Sequence, residues 1–394
     1  MPAGKNILLS GTRHSFALDL ARLLSKADHT VFSVETTKHH PSAYSNAIER
    51  NFVISKPRVD INQYIQDLVS IIIQHKIDLF IPLFEEILFI SEHKDYFPQT
   101  CTLFFPDFDV LDSLNNKWLF NQKLLAYNIT APKSKYIQKD SELSKAPLSC
   151  PYILKPCYSR AAQNIYRLTP TSPIPKIHVS LSHPWIAQET IEGEKFCSYT
   201  ICHAGKIHAH VTYPVTFALD NSSCVRFTSI HHKAIEAWVK NFVELEKFSG
   251  QIAFDFIETS DGTLYPIECN PRATSGLHLF TENDHIDQAF LGENKEIIRP
   301  LQGISKQIAA GMLLVMVSKK HRSQSFLHVF KNFMVTKDVI FNSSDLKPFL
   351  YQPYLFLSYL LQSAKERKSI ANWFIQDSNW ERNSKKSIKE SSLK

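Results

Sequence analysis

Phe254-Asp255-Phe256, followed by Ile267-Glu268-Cys269-Asn270-Pro271-Arg272, is the stretch from which the rest of this sequence can be read. Two apolar runs of β character, 251–258 and 263–268, flank Ser260-Asp261-Gly262, which has the composition of a hairpin turn. In such a hairpin Asp255 and Glu268 can face the same side, with Asn270 just beyond the second strand. Two carboxylates and an amide oxygen are hard donors that suit Mg2+, a cation that keeps some waters and binds phosphate oxygens. Arg272 follows at once and can hold a carboxylate or phosphate in bidentate fashion. A solvated hairpin would also show an acid in a strand and a Glu-x-Asn turn. Against that reading, Asp255 stands between two phenylalanines, Glu268 and Asn270 close an apolar run, and buried acids need a cation.

At 394 residues the chain is long enough for two or three domains. Its hydrophobic share of 44% and charged share of 21% describe an ordinary globular protein. A net charge of +6 is modest at this length, and basic residues are spread out apart from the tail, so no nucleic-acid partner is expected. No apolar run approaches the ~20 residues that cross a bilayer, so no membrane partner is expected either. The start, Met1 to Gly11, runs straight into a strand without the features of a secretory signal. Seven cysteines, an odd number without metal-ligand spacing, fit a reduced cytoplasmic protein. Cys197, Cys202 and His203 read as part of a strand with buried thiols rather than as a zinc cluster.

The first segment opens β-α-β: an apolar run at 6–11, helical spacing at 15–25 and a strand at 30–35. Gly11-Thr12-Arg13-His14 occupies the strand-to-helix turn, where backbone N–H groups and the helix dipole suit an anion. A dinucleotide site would need three glycines there, and only one is present, which excludes a dehydrogenase. A helix at 65–75 and a buried strand at 78–82 come next, with Glu85 and Glu86 directly after. Ligands of open α/β sheets bind beyond the carboxyl ends of the strands, so Arg13, Glu85 and Glu86 are candidate substrate contacts. A helix-start acid pair favoured by the macrodipole explains the two glutamates almost as well.

Lys117 opens a helical stretch, 117–127, and Lys155 ends an apolar strand, 151–156, bounded by prolines. A strand-end lysine often snorkels to solvent. Two lysines ahead of an adenine-type segment also suit polyphosphate, which needs cations. The segment 185–194 is a strand running into a turn at Gly193; further strand is expected at 199–211 and a helix at 230–248. Residues 308–317 read as another strand, and 346–362 and 371–375 as helices. The Ser-, Lys- and Glu-rich end, 382–394, reads as a disordered tail.

Asp255 together with Ile-Glu-Cys-Asn-Pro-Arg at 267–272 resembles the metal-binding end of the ATP-grasp superfamily, and the order of parts extends the resemblance over residues 5–285. The resemblance implies a mixed α/β and α+β architecture: a Rossmann-like pre-ATP-grasp domain (1–112), then an ATP-grasp domain (113–318, lobes 113–185 and 186–318). A helical extension (319–381) and the tail (382–394) would follow. It implies ATP and Mg2+ as cofactors, with Mn2+ as a substitute, and Asp255, Glu268 and Asn270 as metal ligands. Lys117 and Lys155 match the two phosphate-binding lysines. Gln188, Glu189, Thr190 and Ile191 match the hinge that reads adenine, and Glu194, or Glu192 in the alternative register, the ribose ligand. Lys155 and Arg272 take the catalytic positions. The loop after Lys155 departs from the family: Cys157 to Gln163 contains no glycine, and Ser159 and Arg160 stand in for the usual backbone donors.

The implied activity is an ATP-dependent carboxylate–amine ligase that forms an amide through an acylphosphate, acting on small-molecule acids and amines. A kinase on the same fold and a nucleotide-binding module without catalysis are the alternatives. Arg226 and Ser275 join Arg13, Glu85 and Glu86 as candidate acceptor contacts. A homodimer is the default assembly.

Overall fold

The computed structural model describes residues 4–158, 164–219, 223–317 and 326–377, together with Trp380. Five strands, β1 (Asn6–Ser10), β2 (Thr30–Glu35), β3 (Arg50–Val53), β4 (Leu79–Pro82) and β5 (Thr102–Leu103), form one sheet. They are parallel, in the order β3-β2-β1-β4-β5. Parallel strands covered on both faces read as unbroken apolar runs, as here. Ile7 and Leu9 pack on the side of helix α1 (Ser15–Lys26). Leu8, Phe32 and Phe80 pack on the side of α2 (Ile61–Gln74), whose first turn is capped by the Asp60 carboxylate accepting from Gln63 N. The strand order reverses between β1 and β4, which opens a crevice at their carboxyl ends. Helices α3 (Glu86–Ser91) and α4 (Phe108–Asn115) follow.

Helix α5 (Lys117–Ala126) leads to a sheet of β6 (Ser134–Ile137), β7 (Tyr152–Pro156), β8 (Tyr166–Leu168) and β9 (Trp185–Glu189), in the order β6-β9-β7-β8 and antiparallel. The chain continues through β10 (Glu194–His203), β11 (Lys206–Pro214), β12 (Phe217–Leu219), β13 (Ser223–Thr228), α6 (Lys233–Glu246), β14 (Gly250–Glu258) and β15 (Leu264–Asn270). The further strand expected over 199–211 is divided between β10 and β11. Ala204 and Gly205 take left-handed φ values of 46° and 80°, the geometry of a two-residue hairpin turn. The third sheet is ordered β11-β10-β14-β15.

After α7 (Ile286–Leu291), β16 (Ser305–Gln307) and β17 (Lys337–Asp338) join β12 and β13 in a fourth sheet. The strand expected over 308–317 is instead helix α8 (Ala309–Val317). An apolar run of this length carries no period that separates strand from helix. Here the Asp338 carboxylate accepts from Ala309 N at 2.9 Å at the helix start, and Gly311 lets the helix approach Val225 closely. Helices α9 (Phe326–Val335), α10 (Lys347–Leu350), α11 (Gln352–Lys365) and α12 (Ile370–Ile375) complete the described chain. The tail 382–394 lies outside the described residues.

Helix α6 covers one face of the third sheet, and this packing orients the hairpin β14–β15. Ile252, Phe254 and Phe256 turn toward buried Val239 and Phe242, with half-buried Trp238 packed against them. Residues two apart in a strand share a face, so Asp255 between them must face the other way. The flanking phenylalanines therefore aim Asp255 rather than enclose it. Phe254→Ala should lower stability by about 3–5 kcal/mol, because it removes a fully buried ring at this contact. Urea denaturation of the two proteins measures the difference, and a change below about 1 kcal/mol would show that the cluster does not depend on it.

Candidate active site

Asp255 and Glu268 are direct partners across the antiparallel pair, and Asn270 pairs with Ala253. Since 253 and 255, and likewise 268 and 270, are two apart, all three candidate ligands share one face. Burial, then the negative charge of Glu268, pushes the Asp255 carboxyl up to about 6. Burial alone would raise Glu268 as well, but Lys117 and Lys155 outweigh it and hold that carboxyl below its ordinary value. Lys117 Nζ lies 3.1 Å from Glu268 Oε1.

The two lysines come together because the ends of two elements are tied. Asn116 caps α5 by accepting from Trp118 N and Leu119 N, and Lys117 N donates to the Cys157 carbonyl just past β7 at 3.1 Å. Both side chains are buried, and burial brings the Lys155 ammonium down to about 8. Two acids and two lysines thus form one cluster.

Arg272 carries this cluster to the first sheet. Its Nη2 donates to Asn270 Oδ1 at 3.0 Å and to Glu85 Oε1 at 3.3 Å, while the guanidinium lies over the Phe84 ring at 4.6 Å. Gln251 Nε2 adds a bond to the Pro82 carbonyl at the end of β4. The metal-type hairpin therefore sits against the switch point of the parallel sheet. The pairing of Glu85 with Arg272 had no local signal, since the partners are 187 positions apart. Cys197 was likewise unmarked: strand pairing sets it opposite Asp255, to which its thiol is hydrogen-bonded.

The remaining candidates are more dispersed. Gln188 is buried in β9, the Glu189 carboxylate accepts from Lys133 N at 2.7 Å, and Thr190 N donates to the Pro151 carbonyl. Ile191 is half-buried, and Glu192 and Glu194 are exposed. Gly193 is required by close approach, since a Cβ there would lie 2.1 Å from the Glu258 carbonyl oxygen. Ser159 and Arg160 lie outside the described residues. Glu86 is buried, and its Oε1 accepts from Ser10 Oγ, Leu83 N and Phe84 N. Ser275 opens a short 3-10 turn, and Arg226, on β13 of the fourth sheet, donates from Nε to Thr336 Oγ1 between α9 and β17.

Arg13 is buried 2.6 Å from Glu35 and also meets Asp377 at 3.5 Å and the Phe374 carbonyl at 2.8 Å. Arg13, Glu35 and Asp377 line a small pocket together with Glu86 and Tyr64. Arg13 is thus engaged by the last described helix and the turn after it, apart from the acid–lysine cluster.

Among the described residues no three His, Cys, Asp or Glu side chains converge as a metal site. The set on this face is two carboxylates and one amide oxygen, which fits a hard cation that retains water. The raised Asp255 carboxyl, pressed against a second acid, is a group that a divalent cation would stabilise.

The family model for the ATP-grasp domain matches residues 114–276, and this part of the chain is an ATP-grasp domain. The fold is that of solved ATP-grasp enzymes. L-amino acid ligase from Bacillus licheniformis is similar with a TM-score of 0.59 at 14% identity, covering 76% of this chain and 78% of that one. N5-carboxyaminoimidazole synthetase from Staphylococcus aureus gives 0.60 at 13% identity, covering 82% and 87%. The biotin carboxylase domain dimer of Hydrogenobacter thermophilus 2-oxoglutarate carboxylase, solved with MgADP and bicarbonate, gives 0.56 at 13%, covering 77% and 72%. No curated protein sequence matches the chain significantly.

Arg272→Ala would leave the buried Glu85 without its guanidinium partner and should cost about 3 kcal/mol. Replacing Glu85 by Gln in that background should recover part of the loss. A denaturation cycle over the four proteins reads the coupling, and strict additivity would show that the pair is not an energetic unit.

Proposed function

We propose that the protein is an ATP-dependent carboxylate–amine ligase, joining a small carboxylic acid to an amine through an acylphosphate. The observation that carries this reading is the face of β14 and β15, where Asp255 and Glu268 stand opposite each other beside two buried lysines. When bound, Mg-ATP supplies the phosphoryl group that activates the acid and a divalent charge that offsets the phosphates.

Asp255, Glu268 and Asn270 hold the metal, with Asn270 oriented by its bond from Arg272. Lys117 and Lys155 would hold the phosphates, whose charge two buried ammonium groups offset. Gln188 to Ile191 flank the adenine, with Glu194 or Glu192 at the ribose. Arg272 steadies the acid or its acylphosphate near Glu85. Arg13, Glu86, Arg226 and Ser275 are candidate acceptor contacts in this reading. Most of the rate gain comes from positioning and fixed charge, since little covalent help is needed from side chains. L-amino acid ligase, an enzyme named for joining amino acids, shares the fold and supports acid and amine as the substrate pair.

The test is Mg-dependent ADP release over pooled amino acids and small carboxylates, supplied singly and in pairs. ADP should appear only when an acid and an amine are both present. Release with a single acceptor would sink the ligase reading in favour of a kinase. With the active pair, Asp255→Asn and Glu268→Gln should each lower turnover on the order of 100-fold or more.

Nucleotide binding should also depend on pH in a defined way. The metal needs Asp255 ionised, so Mg-ADP affinity should fall as pH drops through about 6. The phosphates need Lys155 protonated, so affinity should fall again as pH rises through about 8. Calorimetric titration across this range checks the window, and a flat profile would remove both groups from the site.

A further inference from the structure

Helix α11 presents its apolar side outward. Leu355 and Ser363 are buried beneath it, whereas Phe356, Leu357, Leu360 and Leu361 are 44–62% exposed. No charged residue occurs from 352 to 364. Helix α9 repeats the arrangement: Val329 is buried, while Leu327, Phe330 and Met334 face solvent at 44–74% exposure. Sixteen of the 24 large hydrophobic residues exposed among the described residues fall between 313 and 361. A concentration of this kind marks a surface that something covers.

Charge identifies what covers it. Residues 309–394 hold 14 Lys and Arg against 6 Asp and Glu, a net of +8. The first 308 residues hold the other 30 and 32, a net of −2, which restores the total of +6. The acids of the described C-terminal part are largely turned inward. Asp338 accepts from Ala309 N, Ile340 N and Phe341 N; Asp345 pairs with Arg22; and Asp377 pairs with Arg13 and Lys56. The cations stay outside: Lys331 lies within α9, Lys347 opens α10, Lys365 closes α11, and Arg367 and Lys368 follow it, all exposed. Apolar helix faces beside exposed lysine and arginine have the composition of an interfacial membrane contact, with rings and leucines at the acyl boundary and cations at the headgroups.

We propose that the face formed by α9 to α11 docks on an anionic lipid surface. A second copy of this chain is the less suitable occupant, because a twofold contact sets the same cations against one another. The helices lie on the bilayer rather than cross it, since no described helix is long and apolar enough to span. The expectation of no membrane partner rested on that same lack of a spanning run, which does not bear on surface docking.

The test uses the full chain with vesicles of phosphatidylcholine alone or mixed with phosphatidylglycerol, read by co-sedimentation. Partition into the phosphatidylglycerol vesicles should exceed that into phosphatidylcholine by about tenfold or more and decline as salt is raised. The exposed pair Leu357→Asp with Leu361→Asp should lower it about tenfold, and Lys365→Glu with Arg367→Glu should do likewise, with thermal melts unchanged. Absence of partition, or equal partition into both vesicles, overturns the proposal. So does a dimer in light scattering that the leucine variants dissociate, which would assign the face to a second copy.

Discussion

The direct opposition of Asp255 and Glu268 across β14 and β15 is the constraint around which this structure is arranged. Two carboxylates on neighbouring strands repel, and removal from water makes the repulsion stronger. The chain answers with two lysines from separate elements, held side by side by one backbone bond from Lys117 to the carbonyl of Cys157. The result is a cluster in which one acid is held low, one acid is pushed up and one lysine is brought down. Groups pushed apart in this way are available for binding charged ligands, since a new cation or anion relieves strain already present.

The same face is joined to the parallel sheet by the Arg272 guanidinium, beside the bond from Gln251 to the Pro82 carbonyl. Arg272 reaches Asn270 on its own hairpin and Glu85 at the mouth of the first sheet. A substrate held in the crevice between β1 and β4 would therefore meet a cation anchored from both sides. Its planar fork and its stacking on Phe84 limit the geometries available to it, which lysine could not reproduce.

Much of this was legible in the sequence where short-range rules govern. The Ser-Asp-Gly turn between alternating runs marked the hairpin, and with it the pairing of Asp255 with Glu268. The β-α-β opening was legible because unbroken apolar strands and a periodic helix have distinct patterns. Residues 309–317 were not, because Ala-Ala-Gly-Met-Leu-Leu-Val-Met-Val has no polar position to set a period, and a distant Asp338 decides for helix. The break at Ala204-Gly205 was marked only by one glycine. Asp377, which meets Arg13, lies 364 positions away and Arg272, which meets Glu85, lies 187 away, where no local pattern reaches.

That distance has a consequence for how the chain is made. Arg13 and Arg22 are buried on or beside α1, and carboxylates that meet them, Asp377 and Asp345, lie 364 and 323 residues further on. At about 5–20 residues per second a ribosome needs roughly 15–70 s to supply these acids after the arginines emerge. Until then Arg22 on α1 has Asp19 of its own helix at 3.8 Å but lacks the Asp345 carboxylate that meets it at 2.9 Å in the finished fold, and burying a cation with an incomplete set of partners is costly. The α/β unit is thus synthesised well before the residues that complete it. A chain shortened before Asp345 would carry its defect at the opposite end, inside its earliest helix.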